Sequence, residues 1–134
     1  MCFAQRVCPM PPPSHVVFVV DDDKAVRSAL KFLLEVEGMT VRTYDGPVAL
    51  LGDRNLPSCA CIVVDHNMPV MNGLELVTVL RKRGIEAPAI LITGQANEEL
   101  RARARSLDIH RVLEKPLSDS ALVESITSAV SPPA

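Results

Sequence analysis

From about His15 to about Val130, short apolar runs alternate with amphipathic stretches. Val16 to Val20 has no polar position, the pattern of a strand buried on both faces. From Lys24 to Glu37 the period changes. Val26, Leu30, Leu33 and Leu34 fall on one side of a helix, with Lys24, Arg27, Lys31 and Glu35 on the other. Asp23 is placed to cap that helix and Gly38 to stop it. Thr40 to Tyr44 predicts a β-branched strand, and Gly46 to Asp53 a short helix. Cys61 to Val64 predicts a third strand, after which Asn72 and Glu75 form a helix-start pair ahead of Leu76, Val77 and Leu80. Ala89 to Ile92 predicts a fourth strand and Asn97 to Leu107 a helix carrying Leu100, Ala104 and Leu107. Val112 and Leu113 belong to a fifth strand, and Ser118 to Val130 closes the chain as a helix with Leu122, Ile126 and Ala129 inward.

The order is strand then helix, five times. Nearly continuous apolar strands alternating with helices predict an α/β fold with a parallel sheet covered on both faces, and right-handed crossovers make it doubly wound. Prolines agree with these breaks. Pro9, Pro11, Pro12, Pro13, Pro132 and Pro133 crowd the ends, whereas Pro47, Pro57, Pro69, Pro88 and Pro116 fall between elements. The expected organisation is a disordered Pro-rich tail at 1–14, one domain at 15–130 and a short tail at 131–134, with no internal repeat.

Composition narrows the function. At 134 residues and 48% hydrophobic, the chain can bury roughly two thirds of its unfolded surface without staples. One Tyr, 3 Phe and 0 Trp are too few for base-stacking platforms, and 14 basic against 16 acidic residues give no cationic field. Direct nucleic-acid binding is not expected. No apolar run approaches the roughly 18 residues of a membrane helix, and the N-terminal prolines interrupt any secretory signal, so a cytoplasmic protein with no membrane partner is expected. Cys2, Cys8, Cys59 and Cys61 and the three histidines lack metal-ligand spacing.

In a doubly wound sheet, function gathers beyond the carboxyl ends of the strands. The first strand runs into Asp21, Asp22 and Asp23, the third ends in Asp65, the fourth in Thr93, and the fifth is followed by Lys115 and Pro116. Two carboxylates about 4 Å apart repel by on the order of 4 kcal/mol at an effective dielectric of 20, so Asp21, Asp22 and Asp65 call for a cation. Lys115 supplies one charge, and an all-oxygen site suits Mg²⁺ for the rest. A carboxylate nucleophile at Asp65, with Thr93 and Lys115 against the transferred oxygens, makes a phosphoryl-transfer site.

The segments VFVVDDD, CIVVDHNMPVMNG, ILITG and LEKP resemble, in order and spacing, the four signatures of bacterial two-component response regulator receiver domains, most closely those of the nitrogen-fixation regulator type. The resemblance covers nearly the whole chain. It implies the flavodoxin-like strand order 2-1-3-4-5 and phosphorylation of Asp65 by a histidine kinase or a histidine phosphotransfer protein, the domain being a phosphoacceptor rather than an enzyme. It also implies Mg²⁺ held by Asp22, Asp65 and the backbone carbonyl of Asn67, with Asp21 acting mainly through a metal-bound water. Thr93 and Lys115 would contact the phosphoryl oxygens, and the Lys115-Pro116 bond would be cis. Receivers commonly use the fourth helix, fifth strand and fifth helix for homodimers or downstream targets, which makes Arg101 and Arg105 a candidate partner surface. With the fold taking nearly all of the chain, signalling is expected by protein contact.

Two departures stand out. Val112 occupies the position where many receivers carry the switching Phe or Tyr, and Leu107, Asp108 and Ile109 replace the usual glycine before the fifth strand. Val112 leaves room for a phosphorylation-independent adaptor. A haloacid-dehalogenase-like phosphatase is weaker, because Ala25 stands where its opening motif needs a hydroxyl or β-branched residue and no acidic pair follows Lys115. A flavodoxin lacks its phosphate loop. Simpler roles compete for single residues: Asp21 and Asp22 as helix-end acids, His66 as a solvent-facing loop residue, and Glu99 paired with Arg103 on a solvated fourth helix. Asn67, two residues beyond Asp65, is placed to orient an attacking water and tune dephosphorylation.

Overall fold

A computed structural model describes residues 16–53 and 61–130. The expected tails at 1–14 and 131–134, together with His15, Pro57 and Cys59, lie outside them. The strands are β1 (Val16–Val20), β2 (Thr40–Tyr44), β3 (Cys61–Asp65), β4 (Ala89–Thr93) and β5 (Ile109–Glu114), all paired in parallel in the order β2-β1-β3-β4-β5. The helices are α1 (Lys24–Val36), α2 (Pro47–Leu51), α3 (Gly73–Lys82), α4 (Glu98–Ser106) and α5 (Asp119–Val130).

The pleat of the sheet divides the core. Ile62, Val64 and Leu91 pack with Leu50 of α2, Leu76, Val77 and Leu80 of α3, and Leu100 and Ala104 of α4. Val17, Val19, Val63, Ile90 and Ile92 pack on the opposite face with Leu30 and Leu34 of α1 and Leu122 and Ile126 of α5. Each such side chain contributes roughly 1.5–3 kcal/mol by leaving water. Both faces of β3 and β4 are therefore sealed, so their reactive groups emerge only at the strand ends.

Most helices are a residue shorter at an end than their pattern suggests, because the end residues act as caps. Glu37 caps α1 at its C-terminus, and Asn97 and Leu107 bracket α4. The Asn72–Glu75 pair is a complete capping box at the start of α3. Gly38 (φ 88°) and Gly84 (φ 83°) end α1 and α3 in the left-handed region. In both, the glycine N–H and the next N–H turn back onto the last helical turn, Gly38 to Glu35 and Met39 to Leu34, Gly84 to Arg81 and Ile85 to Leu80. The third such turn, after α4, has no glycine. Asp108 takes φ 56° there and donates its N–H to the Arg105 carbonyl, a conformation Asp tolerates better than most residues. The Arg81 guanidinium also grips that turn, reaching the carbonyls of Leu107 (3.0 Å) and Asp108 (3.4 Å) as well as Ile85 (3.0 Å) and Ala87 (2.8 Å).

β5 is longer than its apolar pair suggests. His110, Arg111 and Glu114 are exposed, as suits an edge strand, and the register slips between Ala89 and Ile90, which pair with Ile109 and Arg111. The order in which successive strands are added switches sides between β1 and β3, which opens a crevice at their carboxyl ends.

Candidate functional site

Asp21 leaves β1 at this crevice. Its N–H donates to the Tyr44 carbonyl (3.2 Å), its own carbonyl accepts from Arg27 (2.7 Å), and its Oδ1 accepts from the Asp23 N–H (2.8 Å). Helix capping falls to Asp23, whose Oδ1 accepts from Ala25 and Val26. That frees Asp21, which is buried, and Asp22, which is exposed, from the helix-end role. Asp65 ends β3 fully buried, and its Oδ1 accepts from the Asn67 N–H (3.1 Å) and lies 3.3 Å from Lys115 Nζ. One oxygen each from Asp21, Asp22 and Asp65 lie within 4.8 Å of one another. The Lys115-Pro116 bond is cis.

Burial pushes the Asp21 carboxyl above its ordinary value of 3.8, and Asp65 and Asp22 push the same way, against the Asp23 N–H and Lys115. Folded, it holds its proton to higher pH than it does unfolded. The resulting destabilisation sets in as pH rises past 3.8 and is complete above the raised folded value. Asp21→Asn should therefore stabilise the metal-free protein at pH 7, a gain that shrinks on acidification, as urea titrations at several pH values would check. A buried carboxylate held against its own ionisation preference is a site prepared for a cation. Three hard oxygen donors with one exposed flank fit Mg²⁺.

Thr93 is brought to the same rim, buried, but its hydroxyl is engaged within its own loop. It donates to the Gln95 carbonyl (3.2 Å) and accepts from the Gln95 N–H (3.3 Å). The Asn67 Oδ1 is engaged there as well, accepting from the Gly94 N–H at 3.2 Å. A third contact on this loop has no periodic signal in sequence: Glu114 Oε2 accepts from the Ala96 N–H at 3.2 Å. Val112 is half-buried against the α4-side core.

Between β3 and α3 the chain reverses in a γ-turn closed by Met71 N–H to the Pro69 carbonyl (2.8 Å), with Val70 exposed at φ 75°. The turn brings Gly73 against the acceptor strand. His66 is half-buried rather than fully turned to solvent. Its Nδ1 is buried with no hydrogen-bond partner, and burial lowers its pKa from 6.5 despite the neighbouring Asp65. An unpaired buried polar nitrogen costs about 1–3 kcal/mol, so His66→Leu should raise stability by about 1 kcal/mol in urea unfolding. Arg101 and Arg105 are exposed on α4, and the ion pair of that helix is Glu98 with Arg105 (3.1 Å) rather than Glu99 with Arg103.

A family model described as the response regulator receiver domain matches residues 17–127. This chain belongs to that family. The receiver is 38% identical over 120 residues to the transcriptional regulatory protein FixJ of Azorhizobium caulinodans, covering 89% of this chain and 56% of that protein. It is 32% identical to the C4-dicarboxylate transport transcriptional regulatory protein DctR of Rhodobacter capsulatus, covering 87% and 60% respectively. It thus spans a little over half the length of these relatives. Among solved structures, FixJ-N superposes with a TM-score of 0.78 at 31% identity, over 87% of this chain and 93% of that one. A CheY-like receiver from Methanospirillum hungatei gives 0.79 at 25%, over 86% and 92%. The phosphatase and flavodoxin readings are not favoured by this company, and no helix among the described residues of the receiver is long and apolar enough to cross a membrane.

Proposed function

We propose that this receiver accepts a phosphoryl group on Asp65 from the phosphohistidine of a histidine kinase or a histidine phosphotransfer protein. The observation that carries the reading is the Asp65 carboxylate, buried at the mouth of the crevice, with Lys115 at 3.3 Å and two further carboxylates close by. Both Asp65 donors meet at Oδ1, so Oδ2 carries neither and is the oxygen to attack phosphorus. As that P–O bond forms the P–N bond of the donor breaks, and the donor ring, already protonated on its other nitrogen, departs as neutral imidazole. Lys115 draws the new negative charge, and the Thr93 hydroxyl, released from the Gln95 carbonyl, donates to a phosphoryl oxygen. The Asp22 and Asp65 carboxylates and the Asn67 carbonyl, with Asp21 through a water, would hold Mg²⁺, which would supply neutralisation of the phosphoryl charge.

Incubation with acetyl phosphate and Mg²⁺ should add one hydroxylamine-labile phosphoryl group per chain. No labelling would favour a phosphorylation-independent adaptor, and sustained release of phosphate from simple esters would point to a phosphatase. Arg101 and Arg105, with β5 and α5 beside them, are the proposed contact surface for a downstream protein or a second copy.

A further inference from the structure

We propose that Glu114 is a positioning residue, a latch from β5 that holds the β4–α4 loop and with it the resting place of the Thr93 hydroxyl. The inference rests on the phosphoacceptor reading above.

Thr93 and Glu114 are register partners, as are Leu91 and Val112, so Val112 and Glu114 stand two residues apart on the strand face that looks toward α4. The first of them is too short to reach the loop above it and is stiff at its β-carbon. The second does reach it. Its Oε2 accepts from the Ala96 N–H, while the following residue ties the strands together through Lys115 N–H to the Thr93 carbonyl at 2.8 Å. Thr93 can donate to a phosphoryl group on Asp65 only by letting go of the Gln95 carbonyl, and Gln95 lies between the two amides that are held from outside the loop. Asn67, which holds Gly94, is part of the phosphoryl site itself. Glu114 is not. It shares no hydrogen bond or ion pair with Asp21, Asp22 or Asp65, and its bond is to the resting loop. A charged acceptor on a backbone N–H is a stronger bond than a neutral one, though exposure of Glu114 trims it. Releasing the latch removes a restraint that favours the resting loop over the phosphoryl-bound one.

The test is the Mg²⁺-dependent affinity for beryllofluoride, a phosphoryl mimic, measured on the full chain and on Glu114→Ala and Glu114→Gln. Glu114→Ala should bind about fivefold more tightly than the parent, the equivalent of about 1 kcal/mol. Glu114→Gln keeps a carbonyl acceptor and should stay within about twofold of the parent. The Ala96 amide proton resonance should move in metal-free Glu114→Ala and remain close to its parental position in Glu114→Gln. Equal or weaker binding by Glu114→Ala, or a Glu114→Gln protein as tight as Glu114→Ala, would overturn the latch. A parent chain that binds no beryllofluoride would instead remove the phosphoacceptor reading on which the latch rests.

Discussion

Asp65→Asn should take up no phosphoryl group from acetyl phosphate, a loss of at least about a hundredfold, while remaining folded. An amide oxygen is not a nucleophile at neutral pH, so the attacking atom disappears. The side chain keeps its shape and an acceptor for the Asn67 N–H, so the β3–α3 loop keeps its local bond. The same change should blunt the response to Mg²⁺. A ligand present at about 100 times its Kd stabilises a folded protein by about 2.7 kcal/mol, which should appear as a clear rise in thermal midpoint for the parent and a much smaller one for the variant. Phosphate counting with and without hydroxylamine, beside thermal scans with and without Mg²⁺, checks both halves. Labelling of Asp65→Asn at the parental level would move the acceptor elsewhere in the acidic group.

Gly73→Ala should cost about 3 kcal/mol of stability and lower the thermal midpoint by roughly 10 °C. The reason is space rather than backbone angle. A β-carbon at Gly73 would lie 2.6 Å from Leu91 Cδ1, 2.9 Å from His66 Cα and 3.0 Å from the Asp65 carbonyl oxygen. The leucine methyl can swing away. The two backbone atoms belong to the last residue of β3 and the residue after it and cannot move without moving the Asp65 carboxylate, so under the proposed function phosphoryl uptake should fall with stability. Gly94→Ala is the matched control, since its nearest neighbour would be Asn67 Oδ1 at 3.8 Å. Denaturant midpoints of the two variants should differ widely, and equal midpoints would show that α3 yields at its first turn.

The fold was legible because β1 is apolar throughout, β3 and β4 are apolar up to their last residue, and each is followed by a helical period. Asp21, Asp65 and Thr93 could be read from their places at or just beyond the ends of those strands, and Lys115 from its place just beyond β5. β5 was legible only at Val112 and Leu113, because an edge strand needs no apolar face along its full length. The contacts that hold the β4–α4 loop were not legible. Glu114 and Ala96 are 18 residues apart and Asn67 and Gly94 27 apart, joined by single hydrogen bonds to backbone amides that leave no period in the sequence. His66 misled for a similar reason. Its Nδ1 is buried by the tertiary fold, which leaves no mark on the local sequence.

Arg81 gives α4 a fulcrum. Its guanidinium grips the carbonyls of Leu107 and Asp108 at the trailing end of the helix, whereas the leading end hangs from the loop that Thr93 must reshape. Under the proposed function, displacement of the loop would tilt the leading half of α4, which carries Arg101, more than the trailing half, which carries Arg105, and a protein bound across both arginines would read that tilt.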